Sequence, residues 1–378
     1  MRLFLTALLI VFLACPVLAA DRCYVNDPNI NAQYSGGCEN GLANGPGAAK
    51  GRDTYQGGFV KGNKHGSGTY VSAGGDRYVG EFTDDTFNGK GVEAFANGNR
   101  YEGNFVDGKL TGKGVFVTAG GDRYEGDFVD GGLTGTGTYV SAKGDRYEGG
   151  FVDNKFNGKG VYEWAGGNRY EGDFLDNRFN GKGTLVMADG NRCTGNFMDD
   201  KLNGEGVWTF ANGDRYEGHF VGNKFNGKGV ETFANGDRYE GQFVDGKLTG
   251  KGVETFANGD RYEGDFVDGK LTGKGTYAWE DGDRYEGDFV DGRFNGKGVQ
   301  TFTNGDRYEG DFVDGRPTGK GTFMSAQGDR YEGEFVDGKQ TGRGVYVSTN
   351  GNRFEGEFRD GQLVGGGEER TMSTDAPR

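Results

Sequence analysis

Tyr262-Glu263-Gly264-Asp265-Phe266-Val267-Asp268-Gly269-Lys270-Leu271-Thr272-Gly273-Lys274-Gly275 decides how this chain folds, because the same phrase returns every 23 residues. Its first residue falls at 55, 78, 101, 124, 147, 170, 193, 216, 239, 262, 285, 308, 331 and 354, with no insertion or deletion between copies. Self-similarity at a fixed period of this length marks a repeat array, in which each unit packs chiefly on its neighbours. A cleft enzyme, with a core closed between distant parts of the chain, is a poor match.

Let each copy be numbered from its Tyr. Positions one, three and five hold Tyr, Gly and Phe, as in Tyr124, Gly126 and Phe128, while positions two and four are charged, as in Glu125 and Asp127. That period of two predicts a strand with rings on one face and charges on the other. Gly126 lies between the rings and leaves room for them to pack. Asp130-Gly131 then turns the chain. Positions twelve and fourteen are again glycine, Gly112 and Gly114, and open a second strand with rings at position sixteen or eighteen, such as Phe116, Tyr139, Trp164 and Trp208. Asn258-Gly259-Asp260 is a tight-turn signature leading to the next copy.

The predicted fold is all-β: an elongated, single-layer antiparallel ribbon of β-hairpin repeats with one aromatic face. Tyr101, Phe105, Tyr124, Phe128, Tyr239, Phe243, Tyr262, Phe266, Tyr285 and Phe289 are the candidate residues of that face. Sequence leaves open whether it is a core or an interface. On the opposite face, the Arg before each Tyr, the Glu at position two and the Lys at position thirteen predict a cross-strand ladder of alternating charge, at roughly 0.2–1 kcal/mol per pair.

Composition agrees with this plan. Only 33% of the 378 residues are hydrophobic, and 29 Phe and 19 Tyr supply much of that share, so the core is expected to be rings over glycine backbone. The 78 glycines sit at fixed positions, which argues for order. A net charge of −14 disfavours nucleic acid and other polyanions. The two histidines, His65 and His219, occupy non-equivalent positions. No catalytic constellation, P-loop, zinc spacing or EF-hand loop is present, and the carboxylates recur with the period as strand edges and turns. No catalytic, cofactor or metal site is therefore assigned.

Residues 1–20 read as a signal peptide: Arg2, the apolar stretch Leu3 to Cys15, Pro16, then Ala19-Ala20. The alternative is lipidation at Cys15. The mature chain is expected to be exported, periplasmic or secreted, with association with the envelope as a further option. In such an oxidising compartment Cys23 and Cys38 are the candidate disulfide, while Cys193 stands at a repeat Tyr position and is expected to be buried and unpaired. Residues 21–54 are expected to form an N-terminal cap with a degenerate copy at Tyr34-Ser35-Gly36-Gly37-Cys38, residues 55–367 the fourteen repeats, and residues 368–378 a disordered tail.

The pattern Tyr-x-Gly-x-Phe-x-x-Gly-x-x-x-Gly-x-Gly is carried by Tyr101, Gly103, Phe105, Gly108, Gly112 and Gly114, and again by Tyr285, Gly287, Phe289, Gly292, Gly296 and Gly298. It closely resembles the MORN (membrane occupation and recognition nexus) repeat. The resemblance implies a non-catalytic scaffold for a protein partner or for a second copy of the chain as a homodimer, with phospholipid binding attributed to some such arrays. No attached catalytic domain is expected. The alternative is that the aromatic face binds a cell-wall carbohydrate or a membrane phospholipid; buried rings would remove the carbohydrate reading.

Overall fold

The computed structural model describes residues 23–365 and 370–371, which contain strands and turns and no helix. The expected leader lies outside the described residues. The chain divides between Phe156 and Asn157 into two compact units. The first carries β1 (Gln33–Glu39) to β11 (Arg146–Val152); the second carries β12 (Lys155–Glu163), most of which follows the division, to β31 (Arg370–Thr371). Within each unit the strands pair antiparallel with their sequence neighbours, as β21 (Arg261–Val267) does with β20 (Lys247–Thr255) and β22 (Lys270–Ala278). The expected all-β hairpin plan is therefore what forms.

One copy shows why. In β21 and β22 the aligned pairs are Tyr262 with Tyr277, Gly264 with Gly275 and Phe266 with Leu271, with a bulge after Gly264. The intervening turn places both Asp268 (φ 50) and Gly269 (φ 81) in the left-handed region, the type I′ geometry that matches strand twist. The two facing glycines leave a hollow, and the Tyr262 ring folds back into it. Its hydroxyl donates to the Asp265 carbonyl at 3.1 Å, which satisfies the buried phenol. Tyr55, Tyr78, Tyr147, Tyr285 and Tyr308 make the same bond three residues ahead, at 2.8–3.0 Å.

Rings then link copy to copy. Tyr285 meets Phe289 edge-on at 5.3 Å and Phe312 of the next copy at 4.9 Å. Where position ten is Phe, it stacks flat on the Tyr, as Phe225 on Tyr216 at 3.8 Å and Phe294 on Tyr285 at 3.9 Å. Each such contact adds about 0.5–1.5 kcal/mol to the area buried.

Two copies pack differently. Tyr124 and Tyr239 are only half-buried, and Leu133 and Leu248 fill the hollow over the glycines instead. Cys193 is buried and free, and Leu202 fills the hollow beside it.

Ahead of the repeats, β1 and β2 (Leu42–Lys50) form a hairpin in which the Tyr34 hydroxyl donates to the Gly37 carbonyl at 2.7 Å, as a repeat Tyr does. Val25 and Ile30 of the preceding segment are buried, and Cys23 and Cys38 are joined as a disulfide. At the far end Arg370 and Thr371, assigned by sequence to the tail, pair with β29 (Asn352–Arg359). The other residues of that tail lie outside the described residues.

Candidate interaction faces

The strand register sorts the side chains into functional rows. Tyr101, Phe105, Phe128, Phe243, Tyr262, Phe266, Tyr285 and Phe289 are all 3% exposed or less. They are core, with no ring face offered to a ligand. Tyr124 and Tyr239, half-buried, are the two of the ten candidates that depart from this.

The charged face carries ion-pair rows that differ from the expected ladder. Where position two is Glu, the Arg before the Tyr pairs with it along the same strand, as Arg261 with Glu263 at 2.7 Å and Arg307 with Glu309 at 2.6 Å. Lys at position thirteen reaches across to position four of the next copy, not to a Glu at position two: Lys274 to Asp288 and Lys297 to Asp311, both at 2.6 Å. Register is the reason, because Lys274 lies directly opposite Asp288. A third row follows the turns, where residue nine meets the Asp at position seven of the next copy, as Lys270 with Asp291 at 3.1 Å. These pairs are solvent-exposed, so each contributes at most about 1 kcal/mol. Their larger effect is to present both signs of charge in fixed rows.

In the second unit this face encloses a trough of about 2300 Å³ that runs from Glu240 to Gly365. Glu263, Lys274, Glu286, Lys297, Glu309 and Arg330 line it, and the backbone of Gly264, Gly275, Gly287 and Gly298 contributes to its surface. Rows of both signs beside open glycine backbone suit an extended polar chain. Among the described residues no three His, Cys, Asp or Glu side chains group as metal ligands.

Sequence reasoning missed a further row. Position six is apolar yet exposed: Val106, Val129, Val244, Val267, Val290 and Val313 are 50–58% exposed. The signal was available, since six shares parity with the charged positions two and four.

The turns between copies are stapled by the acid or amide just before the Arg. Its side-chain oxygen accepts from a backbone N–H twenty residues on, as Asp306 from Ala326 and Asp260 from Glu280, at 2.8 and 2.9 Å. Asn fills the role as well: Asn99, Asn168 and Asn191 accept from Ala119, Ala188 and Ala211. Asp306→Ala is therefore expected to lower stability by about 1 kcal/mol, and Asp306→Asn to leave it nearly unchanged, in urea unfolding of the two variants.

Position sixteen faces that staple. Tyr277 there donates to Asp260 at 2.7 Å, and Tyr70 makes the same bond to Asp53. Three copies place Glu at this position, Glu93, Glu231 and Glu254. Burial and then the Asp214 carboxylate push Glu231 up to about 7; burial also raises Glu254, against a lowering hydrogen bond from Tyr239, with Asp237 adding to the rise.

Comparison with known proteins agrees with the period. The family model described as MORN repeat matches fourteen consecutive segments, from 55–77, 78–100 and 101–123 through 331–353 and 354–370. No match was found among curated proteins. Among solved structures, the Drosophila melanogaster SAS-4 (dCPAP) TCP domain in complex with a proline-rich motif of Ana2 is similar at 14% identity, covering 41% of this chain and 85% of that one, with a TM-score of 0.28. The Danio rerio CPAP TCP10 domain is similar at 14% identity over 69% of this chain and 99% of that one, with a TM-score of 0.19. At such TM-scores these likenesses assign nothing further.

Proposed function

The chain belongs to the MORN-repeat family, and from that premise we propose that it is an exported, non-catalytic scaffold that holds an extended protein segment along the charged face of its second unit. MORN repeats generally mediate contacts with proteins or membranes. The observation that carries the reading is the division of labour between the faces. The rings that repeat most regularly are consumed as core, which leaves the paired charge rows, the exposed position-six row and the trough as the surfaces that repeat in solvent. Buried rings cannot stack on sugars, so a carbohydrate partner on that face is not favoured. The net charge of −14 opposes anionic lipid.

The test is site-specific photocrosslinking in the native host, with the reactive side chain at Val299 in the trough or at Ala326 on an exposed turn. A discrete protein adduct from Val299, absent from Ala326, supports the reading. Equal adducts from both sites, or co-flotation of the purified chain with liposomes without any protein adduct, would overturn it. Fractionation of the same cells tests export.

A further inference from the structure

We propose that two acid pairs in successive copies of the second unit, Asp214 with Glu231 and Asp237 with Glu254, form a proton-dependent latch that firms one end of the trough when protonated and loosens it when ionised. Its bearing on partner binding rests on the trough reading above; the latch itself does not.

The geometry begins with the staples. Asp214 Oδ1 accepts from the Ala234 N–H and Asp237 Oδ1 from the Ala257 N–H, each at 2.8 Å. The second oxygen of each carboxylate accepts from Asn212 and Asn235, each at 2.7 Å. One copy later the same arrangement has a further donor: Asp260 Oδ2 receives the Tyr277 hydroxyl. Glu231 and Glu254 stand where Tyr277 stands. An ionised Glu has no hydrogen to offer and brings a second negative charge against the staple, whereas a protonated one donates as the phenol does. The proton comes from solvent and remains on the Glu oxygen, so no other reactant is needed.

Among the described residues, no cation acts on Glu231 or Glu254. Glu231 on β18 (Lys224–Thr232) lies between Tyr216 of β17 (Arg215–Val221) and Tyr239 of β19 (Arg238–Val244). Glu254 lies between Tyr239 and Tyr262, bonds Tyr239, and is 4% exposed. The other charged or titratable groups facing them are Asp214, Asp237 and, beyond Glu254, Tyr277. Arg215, Arg238 and Arg261 are engaged on the opposite face by Glu217, Glu240 and Glu263.

The pH direction follows. The folded chain holds Glu231 above its ordinary 4.5, at about 7, so it binds more protons than the unfolded chain across that window. The latch is intact at the acid end, and its contribution is lost as pH rises through about 7. The trough shares these strands, because Lys251, Gly252 and Val253 of β20 and Glu240 and Gly241 of β19 line its end.

Amide hydrogen exchange on the full chain tests this, with rates corrected for intrinsic pH dependence. Protection of the Ala234 amide is expected to fall roughly tenfold from pH 5 to pH 8, and that of Ala257 to fall as Glu254 ionises, while that of Glu280, stapled to the phenol-bonded Asp260, stays level. Asp214→Asn/Asp237→Asn should abolish the fall and keep the staple, as Asn99, Asn168 and Asn191 do elsewhere. Ala234 and Ala257 tracking Glu280 at every pH, or an unchanged fall in the Asn variant, would overturn the latch. Neither outcome depends on crosslinking, so a failed partner search leaves this result standing.

Discussion

Gly275→Ala lowers the stability of the second unit by about 3 kcal/mol, at the upper end of what one added methyl costs in a filled core. The added Cβ would lie 2.4 Å from Cε2 and 2.5 Å from Oη of Tyr262. That ring is fully buried and held by its hydroxyl bond to the Asp265 carbonyl, so it cannot swing away without losing both. Gly269→Ala is the comparison. Its φ is 81 and nothing lies within 4 Å of the added carbon, so only the conformational penalty of about 1 kcal/mol applies. Urea unfolding separates the two, and a Gly275→Ala loss no larger than that of Gly269→Ala would contradict the steric account. The Cys193 copy supplies a second check. There Gly206 meets nothing closer than the Thr194 carbonyl at 3.0 Å, because no ring fills the hollow. Tyr262→Cys/Gly275→Ala should therefore cost less than the sum of its single changes, since the second substitution removes what the first collides with.

That argument also shows where sequence suffices. Tyr-x-Gly-x-Phe states by parity alone that Tyr262 and Phe266 share a face with Gly264, and the regular glycine predicts the space the ring needs. Other features depend on quantities a pattern does not contain. The partner of Lys274 follows from where the turn between copies closes the ladder of β22 with β23 (Arg284–Val290), Ala278 standing opposite Arg284, and that closing pair cannot be counted from spacing. Tyr124 and Tyr239 leave the hollow to a Leu at position ten, yet Leu110 and Leu271 stand at the same position in copies whose Tyr stays inside. The choice is a balance between two fillings of one space that the repeat pattern does not contain; outside the hollow, Tyr239 bonds Glu254. The acid pairs were hidden for a related reason: an Asp and a Glu 17 residues apart look like solvated turn and strand until the strands align.

Asp27→Asn lowers the stability of the first unit by about 3 kcal/mol, the loss that follows when a buried charge is deprived of the closer of its two carboxylate partners. The charge is Lys64, which occupies position ten, where most other copies hold Leu or Phe, and is 3% exposed. Two carboxylates neutralise it. Asp27 bonds its Nζ from the segment ahead of the repeats, and the less buried Asp85 lies 3.3 Å away. Asn at 27 keeps the side-chain oxygen that accepts from the Asn29 N–H at 2.9 Å, so local structure is preserved and the lost charge is what the experiment reads. The neighbouring Asn26 bonds the Lys61 carbonyl and Asn63, and its N–H donates to the Gly62 carbonyl, so the segment docks where Asp27 can reach the lysine. Ion pair and docking are thus one event: without Asp27, residues 23–32 should be cleaved faster in limited proteolysis. Lys64→Leu in the same background removes the stranded charge and restores the side chain used at this position elsewhere, so the double variant should return to within about 1 kcal/mol of the parent. A double variant as unstable as Asp27→Asn alone would mean that Asp27 acts through something other than Lys64. Recovery would show that the lysine selects this segment to close the first unit, at a position where an apolar side chain would serve stability equally well.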